Sequence, residues 1–177
     1  MRRVTAAVGS AVFFLVAPGT VVGLIPWLLT GGWQLREPVP PYWAPIRVLG
    51  AILLVAGLIV LVQAFARFVV EGLGTPAPIA APERLVVGGL YHYVRNPMYV
   101  AVLATIVGQA LLLGQLGLLL YAAALWVICA AFVRLYEEPT LRRRFGADYE
   151  AYRRAVPAWW PRLRPWKSSG PDEPGAR

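Results

Sequence analysis

The chain of 177 residues is 58% hydrophobic and only 15% charged, against about 45–50% apolar and about 25% charged in a soluble domain. That imbalance excludes an ordinary water-soluble fold and makes lipid the solvent for much of the chain. The formal net charge of +8 then reads as affinity for anionic lipid headgroups rather than for nucleic acid, because no basic patch stands apart from the apolar segments.

Three stretches carry no charged side chain: residues 4–35, 48–66 and 96–133. A bilayer core of about 30 Å takes roughly 20 helical residues at about 1.5 Å each, so the first two each suffice for about one crossing. The third is nearly twice as long as one crossing needs. Gly114, Gln115 and Gly117 interrupt its middle with a polar side chain and two flexible backbones, which predicts a hairpin. The expected fold is therefore all-α: an integral membrane bundle of about four transmembrane helices over 4–30, 44–70, 97–113 and 116–135, followed by a C-terminal interfacial amphipathic helix.

Along the first span, Met1-Arg2-Arg3 ahead of an apolar run imitates a secretory signal. The run exceeds a signal's core and no small-x-small site ends it, so it is expected to persist as a membrane helix. Trp27 and Trp33 suit an aromatic belt at the far interface. Gly19-x-x-x-Gly23 has the spacing of a helix-packing face, although small residues are frequent enough here for chance to supply it.

Of the 17 Lys and Arg, two stand at the N-terminus and ten from Arg134 onward, while the first interspan loop holds only Arg36. Positive residues mark the cytoplasmic side. Both termini and the 71–95 loop are therefore expected in the cytoplasm, in a multi-pass protein of a bacterial-type plasma membrane. Cys129 is alone inside the last span, which excludes a disulfide within the chain. With only His92 to join it, no metal is expected. Three regions result: a scaffold pair of spans over 1–71, a core over 72–157, and a partly disordered cytoplasmic tail over 158–177.

Chemistry concentrates in the core. Asn96 and Pro97 suit the N-cap and first position of a membrane helix whose unpaired N–H groups would face the cytoplasm. Where the fourth span leaves the membrane, Arg134 lies three residues before Glu137 and four before Glu138, which predicts either an ion pair on an ordinary wet helix end or a ligand site. Asp148 is expected to cap a short helix with Tyr149, Tyr152 and Val156 on its apolar side.

Taken together, Gly89-Leu-Tyr-His-Tyr-Val-Arg-Asn-Pro-Met-Tyr99, an apolar hairpin, Glu137-Glu138, Phe145-Gly146, Tyr149-x-x-Tyr152 and Val156-Pro157 resemble the isoprenylcysteine carboxyl methyltransferase family and its phospholipid methyltransferase relatives over about half the chain. The resemblance implies S-adenosyl-L-methionine as cofactor, held at the cytoplasmic boundary by Glu83, Arg84, Leu85 and Val86 largely through backbone, by Tyr91, by Asn96, Pro97, Met98 and Tyr99, and by Glu137. The family's Arg-His-Pro-x-Tyr element becomes Arg95-Asn96-Pro97-Met98-Tyr99 here, which keeps hydrogen-bonding capacity and removes a titratable ring. Arg134 stands one position away from the family's substrate-binding arginine and is the candidate for that role.

In-line methyl transfer needs alignment more than an acid or base, consistent with the lack of a catalytic triad motif, and no Gly-rich dinucleotide fingerprint is present. The implied acceptor is lipophilic, an isoprenylcysteine-like carboxylate or a related isoprenoid or lipid, with membrane lipids as the other partners; no nucleic acid or metal is implied. A phospholipid N-methyltransferase, a nicotinamide-dependent membrane reductase of similar fold, and a non-catalytic membrane module are the alternatives. Oligomeric state is not legible.

Overall fold

The computed structural model describes residues 16–36, 40–72 (backbone alone over 67–72), 85 and 87–166. Every regular element among them is helical. Five helices carry the fold: α1 (Val16–Leu29), α2 (Ala44–Gly72), α3 (Pro97–Leu113), α4 (Leu116–Phe132) and α5 (Glu138–Ala155). The stretches Pro41–Ala66 and Leu116–Ala155 are long and apolar enough to cross a membrane, while Val16–Leu29 and Pro97–Leu113 are apolar but shorter. The first fifteen residues, which include the start of the expected first span, lie outside the described residues.

The hairpin forms where the sequence places it. Gly114 adopts φ 69°, the left-handed conformation that ends a helix, and its N–H bonds to Ala110 O. Glycine takes this conformation without the steric cost a Cβ would add. Around the turn, Ile106, Ala110, Leu113, Leu118 and Ala122 form a buried cluster against which Val21 and Val22 of α1 also pack.

Close packing of α2 on α3 depends on glycine. A Cβ on Gly50 would lie 2.6 Å from Leu112 N, one on Gly57 2.5 Å from Thr105 Oγ1, and one on Gly108 2.5 Å from Leu54 N. The two antiparallel backbones therefore touch along this seam, the arrangement that small residues permit where lipid offers no hydrophobic drive for helix association. The other glycine pair plays no such part, since nothing lies within 4 Å of a Cβ on Gly19 or Gly23.

In α1, Pro26 has no N–H to give the carbonyls four and five residues back. A π turn over Thr20–Leu24 precedes it, with Ile25 N bonded to Thr20 O. The freed carbonyls find partners in the hairpin: Gln109 Nε2 donates to Val22 O at 2.7 Å and Tyr121 Oη to Val21 O at 3.0 Å. Apolar surroundings make such bonds obligatory, so Pro26 ties α1 to both arms of the hairpin.

Beyond α4 the helix widens into a second π turn, Val133–Glu137, and continues as α5. A break occurs at Gly146 (φ 50°, ψ −121°). Asp148 therefore lies inside the first turn after the break rather than ahead of a separate helix. Tyr149, Tyr152 and Val156 form the buried side as expected, packed with Leu85, Val87 and Trp166.

The seam makes a direct prediction. Gly108→Ala should push the α2 and α3 backbones apart and cost about 1–3 kcal/mol, the range for overpacking a tight interior. Gly117→Ala, where no atom lies within 4 Å of the added methyl, should cost nothing. Thermal unfolding midpoints of the two variants in detergent would check this; equal midpoints would mean the seam yields.

Candidate functional site

The site gathers at the N-terminal end of α3. Pro97 occupies the first helical position and Asn96 the cap position, but the Asn96 side chain makes no cap bond. Its Nδ2 instead donates to Ala158 O at 3.2 Å, beside backbone bonds from Asn96 N to Ala158 O and from Arg95 N to Pro157 O. Arg162 N and Trp166 N bond in turn to Tyr93 O and His92 O. Residues 157–166, most of which the sequence assigns to the tail, thus form a strap along the approach to α3. From the other side, Tyr152 Oη donates to Tyr91 O at 2.7 Å.

At the centre stands Arg95. Its Nη1 donates to Glu138 Oε1 at 2.7 Å and to Tyr149 Oη at 3.1 Å, and both members of the ion pair are largely buried, with 12% and 17% of their side chains exposed. A partly buried pair of this kind holds elements in register, because removing one member leaves the other charge without compensation. The expected pairing of Arg134 with Glu137 or Glu138 does not form among the described residues. Glu138 turns to Arg95, and Arg134 is exposed on the π turn.

Glu137 faces the other way. Tyr99 Oη, on the first turn of α3, donates to its Oε2 over a long 3.5 Å. The wider π turn directs the adjacent glutamates to two different partners on the α3 side, a use seen where such turns occur at functional sites. Burial pushes the Glu137 carboxyl up to about 6; the Tyr99 hydroxyl opposes that shift, Glu138 adds to it and Arg95 opposes it. Around this carboxyl, the Tyr99 ring lies 6.3 Å from that of Trp159, which lies 6.3 Å from that of Trp126.

Of the residues expected to bind a cofactor, the structure brings Tyr99 and Glu137 into contact and sets Asn96 and Pro97, both buried, at the base of the same helix. Tyr91 is buried with its carbonyl on Tyr152, Leu85 packs on the Tyr149–Tyr152 cluster, and Met98 is half-buried on the first turn of α3. Glu83, Arg84 and Val86 lie outside the described residues. Arg134 is not brought to Glu137's partners. No group of metal-ligating side chains forms among the described residues.

Sequence reasoning named no partner for Arg95, placed Tyr149 only on the apolar side of a helix, and gave Trp126 and Trp159 no role. An arginine immediately ahead of a 38-residue uncharged stretch was a signal for the first of these. The aromatics carried none, because only the fold brings them together.

A family profile described as phospholipid methyltransferase matches residues 45–148. The chain belongs to that family. The region matched to the phospholipid methyltransferase profile contains α2 from its second residue, the hairpin, Arg95, Tyr99, Glu137 and Glu138, and ends just before Tyr149. The protein-S-isoprenylcysteine O-methyltransferase of Schizosaccharomyces pombe (strain 972 / ATCC 24843) is 38% identical over 78 residues, covering 44% of this chain and 33% of that protein. The similarity thus spans about a third of the relative's length. No solved structure matches the chain.

For this member of the family, Glu137 predicts a pH dependence. Its folded-state value of about 6 lies above the ordinary 4.5, so the folded protein keeps this proton to higher pH than the unfolded chain. The associated stability is fully present below about pH 4.5 and is lost as pH rises through 6, amounting to roughly 2 kcal/mol. Glu137→Gln removes the titration, so the variant should gain stability relative to the parent between pH 4.5 and 7. Unfolding midpoints of both proteins across that range would test it; parallel curves would place Glu137 in water.

Proposed function

We propose that this chain is an S-adenosylmethionine-dependent methyltransferase acting on a lipophilic acceptor where α3 begins and α4 ends, at the cytoplasmic face of a four-span bundle with both termini in the cytoplasm. The observation that carries the proposal is the meeting of Tyr99 and Glu137, contributed by two different apolar helices within the segment matched to the methyltransferase family.

The side chains present fit such a cofactor. Arg95 Nε and His92 Nδ1 are buried without a hydrogen-bond partner, which leaves polar atoms available to a ligand. Glu137, mostly ionised at neutral pH, can accept from an amino group or from ribose hydroxyls. Tyr91 and Tyr99 offer rings to an adenine or a sulfonium. Asn96 and Pro97 fix the start of α3, and the 83–86 strip supplies backbone. When bound, S-adenosylmethionine supplies a methyl group on a sulfonium. The chain's task is to hold an acceptor heteroatom in line with it and to keep water away, since alignment alone can lower such a barrier by several kcal/mol.

The similarity to the S. pombe enzyme favours an isoprenylcysteine-like carboxylate as acceptor. A phospholipid amine is the second reading, favoured by the description of the matched family. In either case α5, with exposed basic Arg142, Arg143 and Arg154 beside its buried tyrosines, would lie at the interface and roof the site.

Cofactor binding tests the proposal first. Purified protein should bind S-adenosylmethionine in preference to reduced nicotinamide cofactor, more weakly below pH 6 as Glu137 takes up its proton. Glu137→Gln should weaken binding by about tenfold to a hundredfold, the value of a charge-assisted hydrogen bond, and flatten the pH dependence. Binding of the nicotinamide alone would reject the methyltransferase.

Access from the bilayer tests the acceptor. Each methylene contributes about 0.8 kcal/mol to partitioning, so an acceptor shortened by five carbons should lose roughly three orders of magnitude in membrane occupancy and turn over correspondingly less in liposomes. Arg134→Ala should raise KM for carboxylate acceptors more than for amines. Equal turnover of short water-soluble and long-chain acceptors would exclude lateral access, and a variant indifferent to head-group charge would remove Arg134 from the site.

A further inference from the structure

Three aromatic rings lead from the outer surface of α4 to the buried carboxyl of Glu137. Trp126 is 47% exposed on α4, within an uninterrupted apolar run that continues to the helix end at Phe132. Its ring meets that of Trp159 edge to face at 6.3 Å, and Trp159 meets Tyr99 at 6.3 Å with the rings tilted by 36°. Tyr99 in turn reaches Glu137. Both spacings fall within the range of favourable aromatic contact. Trp126 precedes Glu137 by eleven residues, about 16 Å along a helix, so the outer end of the series lies well toward the middle of the apolar stretch and its inner end at the polar boundary.

The middle ring is not on a membrane helix. Trp159 sits on the strap, whose position is set by the bonds from Arg95 N to Pro157 O and from Asn96 N and Nδ2 to Ala158 O. The next residue along, Trp160, is 81% exposed, and Leu163 is 99% exposed. Large apolar side chains turned outward beside a membrane helix belong at a lipid interface. The strap thus turns Trp160 and Leu163 outward while its Trp159 packs against Tyr99 and Trp126.

We propose that Trp126, Trp159 and Tyr99 form a track that seats the apolar chain of a membrane lipid acceptor, with its head at the start of α3 beside the cofactor that Glu137 would hold and its tail in the bilayer beside Trp126, and that Trp159 determines which chains are accepted. The proposal rests on the methyltransferase reading above for its account of why a lipid head should reach the start of α3. Flat, rigid rings offer a continuous apolar surface at little entropic cost. Because the strap is bonded to the residues that start α3, the seat for the chain and the seat for the head are fixed to one another.

The test uses the full chain in liposomes. Acceptors are S-isoprenyl N-acetylcysteines bearing one, two or three isoprene units, and the cofactor Kd is measured separately. Trp159→Ala should raise KM for the three-unit acceptor by roughly tenfold and for the one-unit acceptor much less, with cofactor Kd unchanged; Trp159→Phe should recover most of the loss, and Trp160→Ala should match the parent. An unchanged KM for every chain length, or a cofactor Kd that shifts as much as KM, would overturn the track, the latter by giving the ring to the cofactor. A readout independent of turnover is photolabelling of the unaltered protein with a diazirine-bearing isoprenoid alcohol. Adducts on Trp126, Trp159 or Tyr99 support the track even if no methyl transfer is found, which would then reject the activity alone. Adducts confined to the outward face of α2 would overturn the track even in an active enzyme.

Discussion

The ion pair between Arg95 and Glu138 is the contact on which the site depends. These residues lie 43 positions apart, one just ahead of α3 and the other just past α4, and a 2.7 Å contact holds them together with little exposure to water. By fixing the open ends of the hairpin to one another, the pair sets the position of Glu137, the neighbour of Glu138, against Tyr99. It also sets the origin of the strap, since the backbone N–H of Arg95 holds Pro157 O. One residue thereby organises the hairpin and α5 through its side chain and the strap through its backbone. In water such a pair would contribute little; in this low-dielectric setting its disruption would leave a buried charge.

Glu137 contrasts with its neighbour. No cation is bonded to it among the described residues, and its surroundings are aromatic. A carboxyl kept at a cost to stability, with a folded-state value of about 6, is the kind of local inconsistency that sites of function retain. The two adjacent glutamates thus differ: Glu138 holds the scaffold through Arg95, and Glu137 is the one proposed to meet a ligand.

Much of this was legible in the sequence because the determinants are local. Pro97 at the start of α3, Gly114 at its end and the resumption of α4 at Leu116 follow from backbone chemistry and the absence of charge, and the helices begin and end there. The residues of the family motif were identifiable as a set, and the fold brings Tyr99 and Glu137 together. Non-local features were not legible. Asn96 looked like a cap, yet its amide bonds to the strap. Arg134 looked like the partner of the glutamates, yet Arg95, distant in sequence, takes Glu138. Gly19 and Gly23 have the spacing of a packing face, which chance supplies in so apolar a chain, whereas the glycines that bring helices together are spread over α2 and α3 and only the antiparallel packing aligns them. The 158–166 strap reads as a proline-rich tail because its bonds are to backbone atoms, which leave no trace in side-chain pattern.

Pro26 bears on how the protein is made. Val21 O and Val22 O are capped by Tyr121 and Gln109, and these residues leave the ribosome some hundred residues after the carbonyls they satisfy. Until then α1 carries two unbonded carbonyls that hydrocarbon tolerates poorly, so while the chain is still being synthesised α1 has reason to stay near water or the insertion machinery. Arrival of the hairpin removes that reason. Satisfaction of the first helix is in this way coupled to synthesis of the segment that carries the candidate site, and a chain truncated before Gln109 would leave both carbonyls without these partners.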